Sequence, residues 1–153
     1  MLRFRAQIIA SPDATGIRPT ALNEHGAVTG AATDANRRGR AFVWTGNSFT
    51  FLPTLGGLTA IGYAINRYGM VAGSSQNQDG KERAFLYAAG RIRNLGTLGG
   101  DTSIAVALND RGVAAGGSTL ADNSFRAFVY SAGFLRSPGN LRGAHSNAVA
   151  INN

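Results

Sequence analysis

The stretch that decides the fold runs from Ala64 to Gly100 and carries four landmarks. They read Ala64-Ile65-Asn66, Gly69-Met70-Val71-Ala72-Gly73, Arg83-Ala84-Phe85-Leu86-Tyr87 and Leu95-Gly96-Thr97-Leu98-Gly99-Gly100. The same landmarks recur on both sides at a spacing of 43 residues, as the asparagines Asn23, Asn66, Asn109 and Asn152 show. A fixed period of this kind is typical of repeat architectures. The chain is therefore interpreted as an array of one unit.

The spacing indicates one repeat domain that spans residues 1–153. Its expected parts are the end of a preceding unit (1–19), unit 1 (20–62), unit 2 (63–105), unit 3 (106–148) and the start of unit 4 (149–153). In the first part, Ala6-Gln7-Ile8-Ile9 matches a short strand one period later, and Ser11-Pro12-Asp13 matches a turn. The array would thus begin with a fourth strand and end with a first strand.

Each unit opens with a predicted hairpin. Its turn reads Asn-x-x-Gly between two short apolar runs, because Asn can bond its own backbone and Gly can adopt a positive φ. The first strand should end at the asparagine and the second should begin after the glycine. The structural positions so assigned are Asn23, Asn66 and Asn109 with Gly26, Gly69 and Gly112.

The third strand of each unit is the most apolar. It carries Ala-Phe followed by an aliphatic residue and an aromatic one, so both of its faces should be buried. The phenylalanines expected in the core are Phe42, Phe85 and Phe128. A short fourth strand follows, and no helical period appears. The fold class is therefore all-β.

Four short strands in 43 residues match one β-propeller blade. We expect a β-propeller-like array, partial or open, with another all-β repeat stack (a solenoid or a sandwich) as the alternative. Four units would need about 172 residues, more than the 153 present. The expected outcomes are self-association through open blade faces, a fragment of a longer propeller, or a monomer whose N-terminal segment covers the open face.

Composition limits the partners and the compartment only loosely. There is no cysteine, so disulfides and thiolate metal sites are excluded. The net charge of +7 raises the prospect of a polyanionic partner, but the arginines are scattered, which argues against nucleic acid. No stretch approaches the about 20 apolar residues of a transmembrane helix. The basic start lacks the apolar region of a signal peptide.

The landmarks resemble a family of bacterial repeats called probable extracellular repeats, or HAF repeats. The family pattern maps onto Ala64-Ile65-Asn66, Gly69, Val71, Gly73, Ala84-Phe85 and Leu95 to Gly100, and recurs over about residues 20 to 153. The histidine of the His-Ala-Phe signature is replaced by Arg40, Arg83 and Arg126. The resemblance implies an extracellular or cell-surface repeat protein and no catalytic residue.

Catalytic and metal chemistry find little support, so we expect no enzyme and no cofactor. His25 and His145 occupy unrelated repeat positions, and no nucleophile elbow is present. Asp34, Asp79 and Asp122 lie in the loop between the second and third strands, but each has too few oxygen neighbours for calcium.

Two sets of repeated residues are candidates for ligand binding. Trp44, Tyr87 and Tyr130 share one repeat position and could stack on sugars, although packing in the core explains them better. Arg40, Arg83 and Arg126 could face an anionic ligand, or could instead bond neighbouring backbone carbonyls.

The sequence therefore predicts a non-catalytic β-repeat interaction scaffold whose partner is an unknown protein or glycan. The alternatives are a lectin-like glycan-binding module and a basic binder of nucleic acid or another polyanion.

Overall fold

A computed structural model describes residues 7–139 and 145–153 of the chain. They form twelve strands and no helix, which confirms the all-β prediction. The strands make three four-stranded antiparallel sheets, each in sequence order. Sheet 1 contains β1 (Ala14–Leu22), β2 (Val28–Asp34), β3 (Gly39–Trp44) and β4 (Phe49–Phe51). Sheet 2 contains β5 (Gly56–Ile65), β6 (Val71–Asn77), β7 (Glu82–Ala88) and β8 (Arg91–Gly96). Sheet 3 contains β9 (Ser103–Leu108), β10 (Ala114–Thr119), β11 (Phe125–Ser131) and β12 (Phe134–Arg136).

The first hairpin of each sheet follows the predicted Asn-x-x-Gly chemistry. In sheet 2, Asn66 Oδ1 accepts hydrogen bonds from the backbone N–H groups of Tyr68 and Met70, at 3.1 and 3.0 Å. Gly69 closes the turn with its N–H on the carbonyl of Asn66 and has a φ of 74°. Its virtual Cβ would meet nothing within 4 Å, so glycine is required by the backbone conformation alone.

The second repeated glycine has a different role, which is close approach of two strands. A Cβ on Gly73 would lie 2.0 Å from the carbonyl oxygen of Ile61 on the adjacent strand β5. The equivalent distances are 2.1 Å for Gly30 and 1.9 Å for Gly116. No side chain fits there, so these glycines set how closely the first and second strands of each sheet pair.

Adjacent sheets pack face to face, and both interfaces are formed by the same pair of sheet faces. The Ala41 and Val43 face of sheet 1 packs against the Phe85 and Tyr87 face of sheet 2. The next interface repeats the arrangement, with Ala84 and Leu86 of sheet 2 against Phe128 and Tyr130 of sheet 3. The three repeated phenylalanines, Phe42, Phe85 and Phe128, are fully buried. The third strands are therefore buried on both faces, as predicted.

Two predicted strands flanking the array are absent. Residues 7–10 and 146–153 are assigned to no strand, while Ala6 lies outside the described residues. A strand requires a neighbour to complete its ladder, and among the described residues no sheet includes either segment. Ile9 nevertheless packs on the Phe42 face of sheet 1, and Leu52 and Leu95 occupy the equivalent places in the later interfaces. Residues near Ile9 thus contact sheet 1 as the end of a preceding unit would.

The strands of the three sheets are offset from the 43-residue units defined by the sequence spacing. Strands β5 and β9 run across the expected boundaries at 62/63 and 105/106. The Leu-Gly-Gly segments lead into the first strand of the following sheet, and the third such segment falls largely outside the described residues. No helix long and apolar enough to cross a membrane occurs in the described ranges.

Candidate functional site

The four repeated asparagines form a hydrogen-bonded ladder from unit to unit. The side-chain Nδ2 of each of the first three donates to the backbone carbonyl of the next asparagine along the array. The distances are 2.8 Å from Asn23 to Asn66, 3.1 Å from Asn66 to Asn109, and 3.0 Å from Asn109 to Asn152. The first three are buried. The ladder therefore holds the same turn of four successive units side by side.

The residue that follows each ladder asparagine faces a shared depression of about 220 Å³. We call these residues the turn-end row: Glu24, Arg67, Asp110 and Asn153. Each comes from a different unit, and the ladder asparagines line the depression beside them. The repeat thus brings four side chains together that are far apart in the sequence.

The turn-end row is held by its own polar contacts. Arg67 Nε donates to Asp110 Oδ2 at 2.8 Å and lies 3.5 Å from Glu24 Oε1. Asp110 also accepts from the backbone N–H of Arg67, at 3.2 Å, and from Asn153 Nδ2, at 3.0 Å. These contacts couple three units through the carboxylate of Asp110.

The same contacts shift two ionisation equilibria. The backbone N–H of Arg67, helped by the side chains of Asn153 and Arg67, holds the pKa of Asp110 below its usual value. The hydrogen bond and the charge of Asp110, with the charge of Glu24, raise the pKa of Arg67. Both groups are therefore ionised at neutral pH.

The site presents hydrogen-bond donors and acceptors side by side. The side chain of Glu24 is 57% exposed and presents a carboxylate acceptor. Arg67 is 45% exposed, and among the described contacts Asp110 and Glu24 engage only its Nε. In the described part of the chain, no group of three His, Asp or Glu residues could hold a metal ion. A ligand with hydroxyl, amide or amine groups suits this pair of acceptor and donor.

The repeated arginines lie at equivalent register positions on the third strands, and two of them bond carbonyls. Arg40 Nη2 donates to Leu52 O at 2.6 Å, and Arg40 Nη1 lies 3.5 Å from Asp34 Oδ2. Arg83 Nη1 donates to the carbonyls of Glu82 and Asp101. Arg126 stands opposite Ser118, as Arg83 stands opposite Ser75. Hydrogen bonds inside the structure thus account for Arg40 and Arg83 without a ligand.

The repeated aromatic residues belong mainly to the core. Trp44 and Tyr130 are buried, and Tyr87 is half-buried against the cluster around Phe85. The hydroxyl of Tyr130 accepts a hydrogen bond from Arg93 Nη1 at 3.4 Å. An exposed stacking platform at this repeat position is not formed by Trp44 or Tyr130.

The loop carboxylates considered for calcium serve the turns between second and third strands. Asp34 Oδ1 accepts from the N–H groups of Asn36 and Arg38, both at 2.9 Å. Asp122 Oδ1 accepts from the N–H and hydroxyl of Ser124. Asp79 receives Nδ2 of Asn77, at 3.3 Å. Each acid is thus used within its own loop.

Sequence reasoning identified the ladder asparagines as turn residues but missed the turn-end row. The signal was present, because the position after each asparagine reads Glu, Arg, Asp and Asn at the 43-residue period. Repeats are recognised by positions that keep the same residue. This position was missed because its residue differs in every unit.

Comparisons of the chain with family models, with curated proteins and with solved structures found no match in any of the three.

Proposed function

We propose that this chain is a non-catalytic β-repeat interaction scaffold, and that the turn-end row is its ligand-binding surface. The observation that carries the proposal is the contrast between two adjacent repeat positions. The asparagine is constant and bonds to the next unit, while the residue after it changes its charge and faces the depression. Constant framework positions beside variable exposed ones are the arrangement by which repeat proteins build binding surfaces.

The finer architecture that we propose is an open, β-propeller-like arc. In support, the first strands of successive sheets contact one another, whereas the outermost strands β8 and β12 barely touch. Sheets that converge at their first strands and diverge at their last form a wedge, as propeller blades do. The turn-end row would then lie at the mouth of the propeller axis.

The ligand class that suits the row best is a glycan. A lectin-like glycan-binding module is therefore our second candidate function. Glu24 and Arg67 place an acceptor beside donors, the pairing that sugar hydroxyls require. The row itself carries two carboxylates and one guanidinium, so it does not attract a polyanion even though the whole chain is basic. The extracellular or surface location rests on the resemblance to HAF repeats.

The test uses the full chain with two matched charge-neutralising variants. Glu24→Gln removes the accessible carboxylate of the row, and Asp79→Asn removes an exposed carboxylate in a distant turn. Each protein is probed on a glycan array and against a peptide display library, at low salt and in about 0.5 M salt, which screens exposed charge contacts.

We expect binding that persists in salt, that Asp79→Asn retains and that Glu24→Gln loses. Salt-sensitive binding of polyanionic glycans that both variants retain would support the polyanion alternative instead. Absence of any binding that depends on Glu24, on either the glycans or the peptides, would contradict the proposal.

A further inference from the structure

A groove on the outer part of sheet 2 lies apart from the turn-end row and has a different lining. It has a volume of about 510 Å³ and is lined by Met70, Leu86, Ala88, Arg91, Ile92 and Arg93. Leu86 pairs directly with Arg93, and Ala88 pairs with Arg91, across strands β7 and β8. Directly opposed residues of an antiparallel pair project from the same face of a sheet. These four side chains therefore share one face of sheet 2.

The face that carries the groove is the one that packs against sheet 3. Leu86 contacts the core cluster that contains Tyr130, and Arg93 Nη1 donates to the hydroxyl of Tyr130 at 3.4 Å. Strands β8 and β12 barely touch, so sheets 2 and 3 separate toward their outer strands. The groove thus lies beside the place where two packed sheets move apart, inside the array and not at either end of it.

The other two sheets show that the fold does not need two arginines at these positions. Among the three sheets only sheet 2 carries both, and the equivalent residues are Ser48 and Thr50 in sheet 1 and Phe134 and Arg136 in sheet 3. Sheet 1 packs its equivalent face on sheet 2 with the serine and the threonine in place. Packing of one sheet on the next therefore does not explain why Arg91 and Arg93 occur together.

No carboxylate of the chain neutralises this pair of guanidinium groups. All eight Asp and Glu residues lie in the described ranges, and none forms an ion pair with Arg91 or Arg93. Both arginines are exposed. An arginine side chain supplies hydrogen-bond donors only, and the other residues of the lining are apolar. The groove therefore offers positive charge, donors and apolar surface, without a side-chain oxygen to accept a hydrogen bond.

We propose that this groove binds an aliphatic carboxylate, a small anion with a hydrocarbon tail. Guanidinium groups bind carboxylates through charge-assisted N–H···O bonds, and the tail covers the apolar surface of Met70, Leu86 and Ala88. The volume of about 510 Å³ is in the range of small-molecule sites. A sugar suits the groove less well, because its hydroxyl groups also need acceptors, which the turn-end row has and this groove lacks. This inference goes beyond the proposed function and does not depend on the ligand of the turn-end row.

The probe is decanoate, which is titrated into the full chain labelled with ¹⁵N while amide shifts are followed by NMR. Acetate has the same head group without the tail, and octanol has a tail without the charge. One double variant, Arg91→Ser with Arg93→Thr, places the residues of sheet 1 at both positions. The matched control, Arg37→Asn with Arg38→Ser, removes two exposed arginines from the turn between β2 and β3. Asparagine suits the φ of 60° at Arg37.

We expect saturable binding of decanoate, with shifts confined to the lining of the groove and to Tyr130. Acetate and octanol should bind at least about tenfold more weakly, because each lacks one half of the recognised chemistry. The double variant at Arg91 and Arg93 should weaken decanoate binding at least about tenfold, while the control at Arg37 and Arg38 should change it less than about twofold.

Four results would overturn the proposal: no saturable binding of decanoate, shifts centred elsewhere, acetate binding as tightly as decanoate, or equal affinity of the parent and the Arg91 and Arg93 variant. Glu24→Gln, which tests the turn-end row, should bind decanoate as the parent does. Failure of the groove can therefore be told from failure of the turn-end row.

Discussion

The first two hairpin turns of sheet 2 have almost the same local chemistry but different connections. Asn66 and Asn77 each accept two backbone N–H groups through Oδ1, and each turn closes on a glycine with a φ of 74°. The difference lies in Nδ2. That of Asn66 is buried and donates to Asn109 of the next sheet, whereas that of Asn77 is exposed and donates to Asp79 two residues away.

This comparison separates the energy of forming a turn from the energy of joining units. A substitution that affects only the turn should lower the free energy of unfolding equally in the Asn66 turn and in the Asn77 turn. A substitution that removes Nδ2 should lower the free energy of unfolding strongly at Asn66 and hardly at all at Asn77. The four predictions below test this separation, from the largest expected effect to the smallest.

The largest effect is expected for Asn66→Asp. The aspartate keeps the acceptor for the turn but loses the donor to Asn109, and it places a charge at a site that is only 4% exposed in the parent. The free energy of unfolding should fall by roughly 3 kcal/mol. Urea denaturation measures it, and a loss below about 1 kcal/mol would show that the ladder adds little to the cohesion of the sheets.

Next come Gly69→Val and Gly80→Val, which test the shared turn geometry. A β-branched residue resists positive φ, and neither glycine has a neighbour within 4 Å of its virtual Cβ. Both variants should therefore lose the same free energy of unfolding, roughly 1–2 kcal/mol. Unequal losses beyond experimental error would mean that the two turns are not locally equivalent.

Asn77→Asp should change stability by less than about 0.5 kcal/mol. Asp34 occupies the equivalent position in sheet 1 and accepts the same two kinds of backbone N–H bond through Oδ1. The variant is the matched control for Asn66→Asp, since the substitution is identical. If Asn77→Asp lowered the melting temperature as much as Asn66→Asp, the distinction between the two turns would be lost.

The smallest expected effect is on the loss of stability at acid pH. The pKa of Asp110 is lowered chiefly by the backbone N–H of Arg67, and that of Asp34 chiefly by the backbone N–H of Arg38. A lowered folded-state pKa gives stability above the ordinary value of 3.8 that is lost as pH falls through the folded-state value.

Asp110→Asn and Asp34→Asn should each flatten the fall in stability below pH 3.8. Only Asp110→Asn should also weaken the contacts between units, because Asp34 bonds within its own loop and near Arg40 of its own sheet. Denaturation midpoints measured across that pH range decide the matter. Parallel curves for the parent and both variants would contradict the assignment.

The strands were largely predictable from the sequence because their signals are local. An asparagine that caps its own turn and a glycine that needs positive φ act within four residues. The first strand of each sheet accordingly ends before Asn23, Asn66 and Asn109, as predicted. The missing strands near Ile9 and Val149 were not predictable, because strand formation there depends on a neighbour and not on the residues themselves.

The candidate site was less predictable for a related reason. The sequence shows which positions repeat, but not which of them converge on one surface. Arg40 and Arg83 repeat conspicuously, yet their guanidinium groups bond carbonyls within the array. Arg67 does not repeat, and it lies in the depression only because the ladder aligns its turn with those of Glu24 and Asp110. Convergence is a property of packing between units.

The packing of sheet on sheet has a consequence for how the molecule opens locally. The middle sheet has a sheet on each face, and Ile65 at the end of β5 is only 8% exposed. Leu22 holds the same repeat position at the end of β1 and is 70% exposed, and no sheet of residues 7–139 or 145–153 packs beyond it. In a linear chain of nearest-neighbour contacts, outer members open more readily than inner ones. Backbone amides of β6 and β7 should therefore exchange with solvent deuterium more slowly than those of β2 and β3, so that opening proceeds inward from the first sheet.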